Sequence, residues 1–331
     1  MMDHLRNVFT SSRLTLSIIR IRTRVKHGVE WNSFPGSVVH GILGFHLKKS
    51  VCIEPSGNCA KCSLTNSCPY AFFIEAARLS VLEKEKQQAY ERQCGLFLPK
   101  PHPICVSVIP CSSSHSETES EILVELIFFG AAAERGVPVL LAIVEAFKEG
   151  IGRQSVKEKR GSLEVISLSN PVTEKQILPE SLRYDQGLPF VPIEWSQLAA
   201  SHSIKSGMEF TAPVRLQSEG RIRSVLPVSD LVLSVFRRVA SIALYYCGVE
   251  LPFDYRPVLE KTDLLGPLAL PKRASVSRYS SRQKTRIQQD GMTGVISLPE
   301  LPAELLPWLS LCQYMGIGKG TSMGFGRYQL V

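Results

Sequence analysis

Residues 316–331 read GIGKGTSMGFGRYQLV, and this stretch decides how the rest of the chain is read. Five glycines (Gly316, Gly318, Gly320, Gly324 and Gly326) fall within eleven positions, with Lys319, Thr321 and Ser322 among them. Glycine at that density lets a backbone turn sharply and come close to a ligand. A Walker-type phosphate loop needs Gly-Lys-Ser/Thr opening a helix after a strand. Here Lys319 is followed by Gly320, and a strand is expected next. A dinucleotide fingerprint fails on the same context, since it lies between a strand and a helix. This loop instead follows an apolar helical stretch at 305–314 and leads into a short strand within 324–331. A glycine loop of that kind, with a lysine inside it, suits holding an RNA backbone.

Composition points the same way. The 331 residues have room for two domains, and 44% hydrophobic content allows a full core in each. The formal net charge of +8 favours an anionic partner. Six basic residues (Lys272, Arg273, Arg278, Arg282, Lys284 and Arg286) occupy 272–286 with no acidic one between them. Tyr279 lies inside that run, and an aromatic in a basic stretch can stack on a base. The plainer reading of the run is a solvated charged face. No apolar segment approaches the 18 or so residues of a membrane span, and the first residues lack a secretory apolar region. A cytoplasmic protein with no membrane partner is expected, so nine cysteines do not imply a disulfide framework.

Four cysteines cluster with the spacing C-x6-C-x2-C-x5-C: Cys52, Cys59, Cys62 and Cys68. The central C-x2-C pair can place two thiolates on one ion, and the flanking pair completes a tetrahedral set. Structural zinc is the first choice and an iron–sulfur cluster the second. The alternative is a loop of free or locally bonded thiols. The other five cysteines are scattered and read as small hydrophobes.

Read in order, 14–25 is a strand, 36–49 a helix and 70–92 a second helix beyond the cysteine loop. Strands follow at 103–110 and 121–129, around a polar turn at 112–120. Val137-Pro138 opens a helix to about 150, and 162–168 is a strand. A proline-bearing crossover at 170–202 leads to a strand at 208–216. The next helix is capped by Ser229 or Asp230, with Leu231, Val232, Val235, Phe236, Val239 and Ile242 on one face and Arg237 and Arg238 off it. A strand pair turning near Asp290-Gly291, a helix at 302–314 and the terminal strand complete the chain. Each half reads strand, helix, two strands, helix, strand. The class is α+β, in two domains at 1–200 and 201–331.

The motif Gly-apolar-Gly, five residues, Gly-apolar-Gly resembles the glycine-rich signature of the RAMP superfamily of CRISPR-associated proteins. It is most similar to that superfamily's precursor-crRNA processing endoribonucleases. The segments 210–216 (FTAPVRL), 278–283 (RYSSRQ) leading to Gly294-Val295-Ile296, and Cys68-Pro69-Tyr70 look like the same family. The resemblance implies two tandem ferredoxin-like (RRM-like) domains, the first carrying the cysteine-rich insertion at about 50–70. It implies CRISPR repeat RNA as the partner, with other effector-complex subunits as further candidates. Its activity is RNA cleavage with no catalytic cofactor, by attack of a 2′-hydroxyl that leaves a 2′,3′-cyclic phosphate and a 5′-hydroxyl. RNA contacts are expected at the five loop glycines, Lys319, Lys272, Arg273, Arg278, Arg282 and Lys284.

Such chemistry needs a base, an acid and positive charge at the phosphorane. The family commonly carries its histidine in or after the first helix, where this chain has His40 and His46, with Lys48 and Lys49 beyond. At 100° per residue, Val38, Val39, Ile42, Leu43 and Phe45 define an apolar face with His46 near its middle and His40 at its edge. His40 suits a group that is supported by the core yet reaches RNA; His46 recovers if the helix ends early. Lys48 and Lys49 are the nearest charge donors, and the plainer reading is that lysines at a helix end complement its dipole. The family's early tyrosine is missing, since no tyrosine lies before Tyr70. A non-catalytic crRNA-binding subunit is therefore the alternative, and a protein-docking cysteine module the third reading.

Overall fold

Alternation in residues 20–26 sets the first sheet. Ile21, Thr23 and Val25 are buried, while Arg22, Arg24 and Lys26 are exposed, the period-two pattern of a half-buried strand. The computed structural model describes residues 7–27, 34–54, 56–76, 80–110, 121–151, 161–199, 206–218, 220–251, 253–270, 272–280 and 285–331. In chain order its main elements begin with β1 (Thr15–His27), α1 (Pro35–Val51), α2 (Pro69–Phe73), α3 (Val81–Cys94), β2 (Ile104–Pro110), β3 (Glu121–Phe129), α4 (Val137–Glu149) and β4 (Ser162–Ser169). They continue with β5 (Gly207–Val214), α5 (Val228–Ile242), β6 (Lys272–Ala274), β7 (Ser277–Ser280), β8 (Thr285–Gln288), β9 (Gly291–Ser297), α6 (Leu306–Met315) and β10 (Tyr328–Leu330).

Contacts divide the chain into two units, and the division differs from the expected break at 200/201. One unit comprises residues 17–76 and 102–192; the other comprises 1–16, 77–101 and 193–331. Long-range contacts draw the early segments to the C-terminal unit. The hydroxyls of Tyr245 and Tyr246 donate to the carbonyls of Leu98 and Pro101, and Tyr255 donates to that of Gly95. Phe9 lies edge-on to Trp308 at 5.0 Å between ring centroids. None of these pairings is visible in local periodicity.

The unit built from 17–76 and 102–192 carries the sheet order β2-β3-β1-β4. Two arginines of β1 form cross-strand ion pairs, half-buried Arg20 with Glu125 at 2.7 Å and exposed Arg22 with Glu121 at 2.8 Å. Val39, Leu43 and Leu47 of α1 and Leu140, Ile143 and Phe147 of α4 join Val124, Leu126 and Phe128 of β3 in one core. Phe45, expected on the buried face of α1, is 65% exposed; the i, i+4, i+8 row through Val39 makes the contact instead. The polar turn expected at 112–120 lies outside the described residues.

The helix expected across 70–92 is two helices. Ser80 stops it, because a capping box starts α3 there: the Ser80 hydroxyl accepts from the Glu83 N–H at 3.2 Å and the Glu83 carboxylate from the Ser80 N–H at 2.8 Å.

The C-terminal unit has the sheet order β6-β9-β5-β10, with every neighbouring pair antiparallel. Leu231, Val232, Val235, Phe236, Val239 and Ile242 are buried on α5, as their spacing requires. Pro227 precedes this helix with no side-chain cap, and the Ser229 hydroxyl donates to Asp263 instead. Strands β7 and β8 form a separate two-stranded hairpin, Arg278 opposite Ile287 and Tyr279 opposite Arg286. Residues 281–284 lie outside the described residues, and Asp290-Gly291 is the corner into β9. Among the described residues no helix is long and apolar enough to cross a membrane.

Candidate functional site

The glycine loop is folded onto its own unit. All five of its glycines have positive φ, from 68° at Gly316 to 86° at Gly324. A Cβ on Gly326 would lie 1.9 Å from the carbonyl oxygen of Ile317, and one on Gly318 would lie 2.7 Å from that of Arg215. These glycines let backbone approach backbone. The Ile317 N–H donates to the Gly326 carbonyl at 3.1 Å, the Gly326 N–H to Pro213 at 2.9 Å and the Lys319 N–H to Arg215 at 3.1 Å. Ile317 and Phe325 are fully buried beneath. Gly316, Gly324 and Gly326 are buried, Gly318 and Gly320 half-buried, and Lys319 is exposed. The surface offered to a ligand is therefore the Lys319 corner.

Two arginines hold the end of α6 that feeds this loop. Arg238, read from the sequence as lying off the apolar face, is buried, and its guanidinium donates twice to the Met315 carbonyl, at 3.2 and 2.8 Å. Arg327 donates to Tyr314 at 2.9 Å. Carbonyls at a helix C-terminus lack intrahelical partners and carry partial negative charge, which draws buried cations to them.

The basic stretch divides by environment. Lys272 and Arg273 are exposed on β6, and Arg273 pairs with Asp290 at 2.6 Å. Hydrogen bonds from Arg273 and then Gln288 hold the Asp290 carboxyl below the usual carboxylate range. Arg278 is half-buried and donates to Gln289 at 2.9 Å; burial lowers its pKa. Arg282 and Lys284 lie outside the described residues. Arg215, which the sequence did not single out as a site residue, joins the two motifs. Its backbone bridges Gly318, its guanidinium lies over the Phe325 ring at 5.9 Å, and its Nε donates to the Asp290 carbonyl at 3.1 Å.

In the other unit, α1 separates its two histidines. His46 is 7% exposed, with Nε2 3.9 Å from a carboxylate oxygen of Glu149, which also takes Lys49 at 2.6 Å. His40 is half-buried, and its ring meets that of His102 edge-on, centroids 5.9 Å apart and planes at 90°. Nδ1 of His102 lies 3.3 Å from the Phe73 carbonyl oxygen. Lys48 lies two turns beyond His40, about 12 Å by helical rise. Its ammonium donates to the Gly57 carbonyl at 2.9 Å and sits 5.2 Å from the centre of the Tyr70 ring. His102 was missed by the sequence reading. The signal was its setting, Pro101-His102-Pro103 ahead of β2, where two prolines restrict the backbone.

Cys52, Cys59, Cys62 and Cys68 line one cavity of about 310 Å³, with Leu64 and Tyr70. Burial raises the Cys59 thiol. Among the described residues no three His, Cys, Asp or Glu side chains converge as a metal-holding group. Cys105, Cys247 and Cys312 are buried and Cys94 is half-buried; Cys111 lies outside the described residues.

A family model named AF_1859_N, described as an N-terminal domain, matches residues 14–186, more than half of the chain. The model of the CRISPR-associated endoribonuclease Cas6 matches residues 208–328. Among solved structures, the chain is similar to "Cas6 (TTHB231) product complex" at 14% identity and a TM-score of 0.44, covering 95% of this chain and 100% of that one. It is also similar to Thermus thermophilus Cas6 (TTHB231) at 12% identity and a TM-score of 0.46, covering 96% and 99%. No curated protein matches by sequence. The chain belongs to the AF_1859_N family and, with its Cas6 domain, is a Cas6-type CRISPR repeat-processing endoribonuclease, an RNA-cleaving enzyme.

Proposed function

We propose that this protein matures crRNA by cutting the CRISPR repeat through internal transesterification, with His40 and His102 as its acid–base pair. The observation that carries the reading is the edge-on pairing of two half-buried imidazoles across α1 and the entry to β2. Imidazole exchanges protons near neutral pH, so one ring can take the 2′-hydroxyl proton as its oxygen attacks phosphorus. The P–O5′ bond breaks, and the departing oxygen takes a proton from the other ring. The products are a 2′,3′-cyclic phosphate and a 5′-hydroxyl, and no metal is needed in the step. His46 serves packing and the Glu149 contact, and Lys48 secures the cysteine segment.

Unit by unit, the architecture suits two tandem ferredoxin-like domains: both sheets interleave two strand–helix–strand crossings in the same order. The exposed cations Lys319, Lys272 and Arg273 bind repeat RNA, together with Arg278, Arg282 and Lys284. The four cysteines line one cavity without converging on a point, and their all-thiol donor set suits a structural zinc that would draw them together and fasten the 50–70 insertion. The test of function is incubation of the purified protein with repeat RNA in EDTA, beside a substrate with a 2′-deoxy residue at the cut. One defined cut, abolished by the deoxy residue, is expected. Tight binding without any cut overturns the reading in favour of a crRNA-holding subunit.

A further inference from the structure

The pocket at the root of the basic hairpin takes no part in the proposed cleavage, and its chemistry is mixed. It is a cavity of about 360 Å³ whose lining includes Arg215, Arg273, Gln288, Asp290, Ile222 and Met292. Its walls come from four places in one unit, Ile222 standing on the short strand Arg221–Ile222. Arg215 follows β5 and bridges the glycine loop, Arg273 lies on β6, and Gln288 to Met292 run from the end of β8 into β9. The two sequence motifs that suggest RNA therefore meet here.

A plain phosphate cradle does not fit. Asp290 is an ionised carboxylate paired with Arg273 in the same lining as Arg215, and an incoming anion meets its charge at close range. The carboxylate is also fixed: Arg273 donates to one oxygen at 2.6 Å, while Gln288 and Ser275 donate to the other at 2.5 and 3.3 Å. Fixed acceptors and planar donors, with Ile222 and Met292 as apolar walls, make the surroundings of a nucleobase. Guanine carries two adjacent N–H donors at N1 and N2 for a carboxylate, and acceptors at O6 and N7 for arginine. Adenine would turn its N1 lone pair to the carboxylate. Uracil brings a single N–H between two carbonyls.

We propose that this pocket receives one unpaired guanine of the RNA, one of its N1–H and N2–H donors taking the place of the Ser275 hydroxyl on one Asp290 oxygen and the other going to the second oxygen, with its O6 and N7 toward Arg215 and Arg273. This rests on the RNA-processing reading above and adds a sequence preference to it. Unpaired bases are the usual targets of sequence-specific RNA recognition, because their edges are open.

The test uses the full chain and fluorescently labelled heptamers, UUUNUUU, in which N is guanosine, inosine, adenosine, cytidine or uridine. Repeat-RNA cleavage is followed in parallel. Guanosine is expected to bind about tenfold tighter than adenosine, with inosine between them because it lacks the N2 amine. Asp290→Asn, checked for an unchanged melting profile, is expected to reduce the preference to within twofold while all-uridine affinity holds. The wild-type series alone decides if that variant fails to fold. Equal affinity for all five heptamers, with repeat RNA still cut, overturns the guanine pocket and leaves the nuclease reading intact. So does an Asp290→Asn protein that binds every heptamer more tightly by the same factor, since that marks a phosphate site. Failure to bind or cut repeat RNA sinks the broader reading and this one with it.

Discussion

Gly326→Ala should strongly destabilise the C-terminal unit. The added Cβ would stand 1.9 Å from the Ile317 carbonyl oxygen, a backbone atom that cannot swing aside. The residue also sits at φ 70°, where an L side chain costs about 1–2 kcal/mol. Relieving the clash separates the strands of the loop and loses the Ile317–Gly326 and Gly326–Pro213 hydrogen bonds. Each is worth about 1 kcal/mol net. Partial exposure of Ile317 and Phe325, both fully buried, adds roughly 1–2 kcal/mol. The total is about 4–6 kcal/mol, against a usual domain stability of about 5–15 kcal/mol. In urea the midpoint should fall by about 2 M. The matched control is Gly41→Ala, on the exposed side of α1 with nothing within 4 Å of its Cβ, which should gain about 0.5–1 kcal/mol. A Gly326→Ala protein that melts with the wild type would refute the packing argument and return these glycines to ligand contact.

Lys319→Ala should leave the melting curve unchanged and lower RNA affinity, with the salt slope of binding reduced by about one; an unaltered slope removes the loop corner from the RNA surface. Denatured protein should release about one zinc per chain, and a Cys59→Ser, Cys62→Ser double variant should release none; metal-free wild type leaves the thiols unliganded. Burial pushes the Cys247 thiol up to about 11 from its ordinary value of 9.0. The raised thiol therefore contributes stability that is fully present below about pH 9 and lost as pH rises toward 11, measurable as a decline absent from Cys247→Ala. A parallel decline in both proteins contradicts that assignment.

Periodicity made much of each sheet and its helices legible, because burial here follows the pattern of apolar residues. Val39, Leu43 and Leu47 on α1 and the Leu231 to Ile242 row on α5 need only one element to be read. Features that depend on two distant segments were hidden. Arg238 looked solvent-facing until the carbonyl end of α6 was placed beside it. His102 meets His40 only after β2 is laid against α1. Asp290 looked like a turn residue, and its part in a cavity depends on β6, β8 and the residue after β5. The break at Ser80 was legible in Ser80 and Glu83, but apolar spacing ran across it. The glycine loop was visible as a motif, whereas the reason for its glycines required the positions of Pro213, Arg215 and Ile317.

The central claim is that cleavage runs through the His40–His102 pair, and single-turnover cutting of repeat RNA tests it most directly. The comparison is wild type with His40→Ala, His102→Ala and His46→Ala in EDTA, each normalised to bound RNA. The account predicts losses of about 10²-fold or more for His40→Ala and His102→Ala, in line with general acid–base catalysis. It predicts that His46→Ala keeps its rate and loses stability. Full activity in both His40→Ala and His102→Ala, or loss of cutting only in His46→Ala, would contradict it.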